Sequence, residues 1–156
     1  MNLYSVSQAL NDTHNMKLDI FRQEDLEELV SLPLFLNKVP AGFPSPAEDY
    51  IEQKLNVQEL LVKRPASTFF IRVSGYSMLD AGIHDGDILV VDRSLKASNQ
   101  KIIVAILDGE LTIKRFEQSE NTIYLHPENS EYQSITVTPD MDFEVWGVVT
   151  NVIHAV

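Results

Sequence analysis

Residues 101–116 read KIIVAILDGELTIKRF, two aliphatic, β-branched runs joined by Asp108-Gly109. An Asp-Gly pair between such runs signals a two-residue hairpin turn of the primed type, because that turn needs positive φ at both central positions. The turn sets the register. With Leu107 opposite Glu110, Ile106 meets Leu111, Ala105 meets Thr112, Val104 meets Ile113, and Ile103 meets Lys114. Lys114 therefore shares a face with Ile103 and Ala105. Two readings of it stay open: a solvated strand lysine beside Arg115, or a buried amine. Burial disfavours the ammonium, and lowering a lysine from ~10.4 to between 7 and 8 takes on the order of 4 kcal/mol of differential desolvation. A lysine made neutral in this way is a general base.

Working back from the hairpin, residues 87–92 (DILVVD) and 68–73 (TFFIRV) are two more strand candidates. Between them the chain must turn sharply, and the turn carries Gly75 and Ser77. Ser77-Met-Leu-Asp-Ala81 reads as one helical turn with Ser77 at its N-terminus, where free backbone N–H groups face whatever approaches the side chain. Ser77 is then either an N-cap, a role serine favours, or a nucleophile with an anion-binding nest beside it. Working forward, strands are expected at 122–126, 134–138 and 143–152, separated by Pro-Glu-Asn-Ser and Pro-Asp-Met-Asp turns. The body is mainly β. The last run, 143–154, is long and apolar enough to be a core strand or to pair at one end with another copy.

Ser74-Gly-Tyr-Ser-Met78, Ala81-Gly-Ile83, Asp85-Gly-Asp87 and the 108–116 segment together resemble the LexA/UmuD family of self-cleaving serine-lysine proteins, on its UmuD-like side. Leu32-Pro-Leu-Phe35 and residues 42–50 resemble the segment around that family's cleavage site, with the scissile bond between Ala41 and Gly42. The resemblance covers nearly everything after about residue 25. It implies Ser77 as nucleophile, Lys114 as general base, the backbone N–H groups of Ser77 and Met78 as oxyanion donors, and no cofactor. It further implies a homodimer, stimulation by a RecA–single-stranded DNA filament after DNA damage, and a UmuC-type Y-family polymerase that the shortened dimer joins for error-prone lesion bypass. The implied fold is a peptidase body of twisted, mostly antiparallel sheets with a mobile N-terminal arm. The expected division is an arm of residues 1–41, a linker and lead-in of 42–65, and a body of 66–156. The chain departs from the family pattern at Tyr76, where aspartate is usual before the serine, and at Pro40, which removes one N–H from the segment that must bind in extended form.

Composition narrows the alternatives. A length of 156 residues suits one domain with an arm. The formal charge of −11 argues against direct binding to nucleic acid, which needs clustered cations to displace counterions. No cysteine is present, which excludes thiolate chemistry and fits a reducing, cytoplasmic setting. No run reaches membrane-spanning length, and the first twenty residues lack the basic start and apolar centre of a signal peptide, so neither a membrane nor secretion is expected. A signal-peptidase-like enzyme, which also uses serine and lysine, would need an anchor. The other rival is a non-cleaving accessory subunit.

Within the arm, residues 1–16 are polar and aperiodic and read as a mobile lead-in, while 22–32 fit a short amphipathic helix stopped by Pro33. Prolines at 33, 40, 44 and 46 make 33–46 an extended linker that could add to a sheet edge and present Ala41 and Gly42 to the serine. Residues 50–63 read as helical or mixed. The arm has three Lys or Arg against six Asp or Glu and is too short for the DNA-binding domain of a repressor. Histidines 14, 84, 126 and 154 lack metal-ligand spacing, so no metal is expected. A Ser77–His84 pair is set aside because seven residues across a tight turn give poor geometry and no carboxylate is placed to orient the ring.

Overall fold

A computed structural model describes residues 19–22, 31–35, 41–42 and 52–156. Its hairpin has the expected register: β6 (Ile102–Leu107) pairs antiparallel with β7 (Glu110–Ser119), Leu107 opposite Glu110 and Ile103 opposite Lys114. Asp108 and Gly109 both have positive φ, 50° and 83°, as a primed turn requires. From this hairpin the sheet grows in both directions. Outward from β7 come β8 (Thr122–His126) and β9 (Ile135–Val137). On the far side of β6 lies the long β10 (Phe143–Ile153), then β5 (Ile88–Asp92), β4 (Thr68–Arg72) and finally β1 (Asp19–Arg22). Every pairing in this eight-stranded sheet is antiparallel, which bears out the mainly β expectation.

β10 sits between β5 and β6 and meets both only by breaking register, between Val149 and Asn151 on one side and between Val145 and Gly147 on the other. Each irregularity increases local twist and bends the strand. The bent sheet has apolar residues on both faces. Val104 and Ile113 pack with Ile71, Val73, Met78, Leu89 and Val91, while Ile103 and Ala105 pack with Phe116, Leu125 and Val148. β6 contributes to both clusters, which explains why its run is continuously aliphatic and not alternating.

The N-terminal segments differ from expectation where they are described. Arg22 ends strand β1, and Ser31 and Leu32 open β2 (Ser31–Phe35), so the ends of the expected 22–32 helix are extended; residues 23–30 lie outside the described residues. β2 pairs antiparallel with β3 (Glu52–Asn56), Pro33 opposite Lys54, so the start of the expected unpaired linker is a two-stranded ribbon. A two-stranded ribbon has only edges, where a missing proline N–H is tolerated. The 50–63 segment is mixed, as expected: β3 is followed by α1 (Val57–Leu61), whose first N–H groups donate to Asn56 Oδ1. The lead-in of residues 1–16 lies outside the described residues.

Candidate active site

The loop between β4 and β5 is built around backbone that only a few residues adopt. Gly75 has φ 104°, and its N–H donates to Asp85 Oδ1 at 2.8 Å. Across the loop base, the Val73 N–H donates to the Asp87 carbonyl at 2.8 Å and the Gly86 N–H to the Val73 carbonyl at 2.9 Å. The helical turn inside the loop is a 3-10 turn over Leu79–Ala81, so it begins two residues after Ser77, and no side chain caps it. The reason lies in where the preceding carbonyls go. The Ser77 carbonyl accepts from the Glu128 N–H at 2.8 Å. The Tyr76 carbonyl accepts from Asn129 Nδ2 at 2.8 Å and keeps only a longer 3.4 Å bond from the Leu79 N–H, so the regular turn starts at the Met78 carbonyl, which accepts from the Ala81 N–H at 3.1 Å. Ser77 is therefore not an N-cap.

Its side chain is instead an orphan. Ser77 is 5% exposed, and its Oγ has no hydrogen-bond partner. A buried hydroxyl left unpaired costs about 1–3 kcal/mol. Among the described residues the backbone N–H groups of Ser77 and Met78 also donate to nothing. Met78 packs into the core beside Ile113, which anchors the loop against β7.

On β7 the next residue is Lys114, 7% exposed. Its face carries Ile103, Ala105 and Phe116, and its Nζ donates only to neutral oxygens, Thr112 Oγ1 at 3.0 Å and the Ile113 carbonyl at 2.9 Å. Among the described residues no carboxylate compensates the charge. Burial accordingly lowers its pKa from 10.5 to about 8. Of the two readings left open by the spacing, the buried amine is the one observed.

Glu128, in the β8–β9 connection, ties the serine loop to the lysine strand. Its backbone N–H holds the Ser77 carbonyl, its carbonyl accepts from the Asp80 N–H at 2.8 Å, and its side chain pairs with Arg115, the neighbour of Lys114. Sequence reasoning missed Glu128 and Asn129, and no signal in a Pro-Glu-Asn-Ser turn marks them. Ser77 and Lys114 are not hydrogen-bonded to one another. Ala41 and Gly42 are both exposed, and a Cβ added at Gly42 would meet open space.

His84 does not pair with Ser77 either, since the hydroxyl has no partner. One ground for setting it aside is nonetheless corrected: a carboxylate does stand by the ring, Asp87 Oδ2, 3.6 Å from His84 Nδ1. The fold places it there because the loop closes on itself at Asp87. Burial alone would raise that carboxyl, but the His84 N–H, the His154 ring and the two imidazoles together hold it below the ordinary range.

Comparison with known proteins decides the relationship. The family model described as Peptidase S24-like matches residues 33–150. The chain belongs to the Peptidase S24-like family. The matched span contains Ser77, Lys114 and the Ala41–Gly42 bond, so the resemblance seen in the motifs holds over most of the chain. Among S24-like relatives, Protein MucA of Salmonella typhimurium is 46% identical over 137 residues, 87% of this chain and 93% of that protein. Protein SamA of Salmonella typhimurium is 45% identical over 122 residues, 78% of this chain and 84% of its own. The LexA repressor of Idiomarina loihiensis is 41% identical over 132 residues, 84% of this chain but only 63% of the repressor. Membership of the S24-like family makes this a serine-peptidase fold. No helix among the described residues is long and apolar enough to cross a membrane.

Proposed function

We propose that the chain cleaves itself between Ala41 and Gly42, with Ser77 as nucleophile and Lys114 as general base. The observation that carries this reading is Lys114: a buried, uncompensated amine, with its pKa near 8, on the strand tied through Glu128 to the turn of an unpartnered serine hydroxyl. Neutral Lys114 takes the Ser77 proton as Oγ attacks the Ala41 carbonyl. The backbone N–H groups of Ser77 and Met78, which have no partners among the described residues, hold the developing oxyanion. Lys114 then returns the proton to the Gly42 amine, which leaves, and a water activated by the same lysine releases the acyl group as a new carboxylate. Because the substrate is tethered, a slow dyad suffices, and control lies in how often the exposed 41–42 segment enters the cleft.

In this reading residues 1–41 are the removable arm, 42–65 the lead-in and 66–156 the peptidase and dimerisation body. The identity to MucA and SamA supports a role in mutagenesis after DNA damage. A RecA–single-stranded DNA filament favours the engaged arm, and the shortened homodimer joins a UmuC-type Y-family polymerase as a subunit. The setting is the cytoplasm.

The test is intact mass of the purified protein after incubation near neutral and near pH 9, with Ser77→Ala and Lys114→Ala beside it. Wild type alone should yield 1–41 and 42–156, faster in alkali. A wild-type chain that stays whole at both values, and also with RecA, ATP and single-stranded DNA, would hand the function to the non-cleaving accessory-subunit reading.

A further inference from the structure

Away from Ser77 and Lys114 the fold assembles a second group of side chains that chain spacing conceals. His84 and Asp87 close the serine loop, and His154 follows the end of β10, 67 positions beyond Asp87. The Asp87 side chain is 3% exposed. Its Oδ1 lies 2.6 Å from His154 Nδ1, and its Oδ2 accepts the His84 backbone N–H at 2.7 Å. The two imidazoles lie against each other, centroids 4.5 Å apart and tilted by 36°. One donor atom from each of the three residues falls within 4.8 Å of the others.

We propose that His84, Asp87 and His154 bind one divalent transition-metal ion of the zinc class. Two imidazole nitrogens and a carboxylate oxygen are the donor set of zinc and its neighbours, whereas magnesium and calcium take oxygen alone. The carboxylate is almost fully buried, and no lysine or arginine pairs with it among the described residues; its charge is met by the His84 N–H and the two imidazoles alone, so it stays ionised and available to a metal ion beside those same rings. The rings are free to adjust, with side chains 46% and 41% exposed. Closing donors from 4.8 Å to the roughly 3.3 Å edge of a tetrahedral site with ~2.0 Å bonds takes small rotations of two surface rings. The open side of the rings leaves the remaining coordination positions to water. An ion here would staple the end of β10 to the loop that carries the serine.

The test is calorimetric titration of the full chain with zinc chloride at neutral pH, with melting followed in the presence and absence of the metal. The expected result is one equivalent per chain and a raised Tm, with affinity reduced tenfold or more in His84→Gln and in His154→Gln. His14→Gln and His126→Gln should bind as wild type, since His126 is engaged with Glu117 and Ser134 elsewhere. Both site variants replace half-exposed rings, and a cooperative metal-free melt shows that they fold. Absence of binding up to millimolar zinc, or binding that survives both site variants, overturns the proposal.

Discussion

Ser77 and Lys114 are each held in a state that folding by itself disfavours. The serine hydroxyl is buried without a partner, and the lysine is buried among apolar side chains with only neutral acceptors. A pKa of about 8 in the folded chain against 10.5 outside it corresponds to about 3 kcal/mol of native-state destabilisation when the amine is charged. Between those two pH values the unfolded chain binds more protons, so stability rises with pH across the window; below about pH 8 the full cost is present. Lys114→Met should therefore be more stable than wild type by up to about 3 kcal/mol at neutral pH, the gap closing toward pH 10.5, as read by urea unfolding at several pH values. Ser77→Ala, which removes the orphan hydroxyl, should gain about 1 kcal/mol with no such pH dependence. Both should abolish self-cleavage, the stability–activity trade expected of a strained site. The same pKa shapes the rate. At pH 7 about one lysine in ten is neutral, so cleavage should rise about tenfold between pH 7 and 9 and then level off. A rate still climbing steeply beyond pH 9.5 would mean a solvated lysine and would count against Lys114 as the base.

Among the elements, β10 carries a close approach at Gly147. A Cβ on Gly147 would lie 2.6 Å from Val91 Cγ1 and 3.4 Å from the Asp92 carbonyl, at the point where β10 shifts register against β6. Gly147→Ala must push β5 and β10 apart and should cost about 1–3 kcal/mol, measured as a lowered urea midpoint with an unchanged slope. A stability equal to wild type would mean that the shift is slack. Local pattern made most of these elements readable. Asp108-Gly109 sets a register that the hairpin keeps residue for residue, and 122–126 is a strand at both of its expected ends. The failures have physical causes. Pro33 and its neighbours carry loop chemistry, yet pairing with Glu52–Asn56 overrides it in a ribbon made only of edges. Ser77 looks like a cap, but a long-range hydrogen bond from the Glu128 N–H takes its carbonyl, and Asn129 shares the Tyr76 carbonyl, which keeps only a 3.4 Å bond from the Leu79 N–H. Sequence spacing also cannot join His84 to His154, because strand β10 brings them together only once the sheet has formed. The buried lysine was legible as one of two readings. Register named its neighbours, and only the packed sheet excludes water from them.

For the whole molecule the described N-terminal strands and the proposed scissile bond are geometrically linked. β1 pairs with β4 over four residues, and β2 pairs with β3 over five, with Ala41 and Gly42 in the connection that leaves β2 at Phe35 and enters β3 at Glu52. Six residues from Phe35 to Ala41 span at most about 20 Å, so the bond's excursions are limited for as long as the ribbon holds. The proposed cut at 41–42 makes β1 and β2 parts of a separate peptide, whose attachments among the described residues are two short antiparallel pairings. Pairings of this length are marginal in water without the covalent connection, whose loss turns an intramolecular contact into a bimolecular one. Fragment 1–41 should therefore leave after cleavage, and its departure uncovers the outer edge of β4, Thr68–Arg72, as a row of unpaired backbone groups ready to accept a strand from another protein. Gel filtration of the cleaved protein should give a 42–156 peak free of 1–41 by mass. Hydrogen exchange at β4 should then quicken relative to the intact Ser77→Ala chain while β6 and β10 stay protected. Co-elution of the two fragments with β4 still protected would mean that the arm stays bound after the cut, and the edge would then be unavailable to a partner.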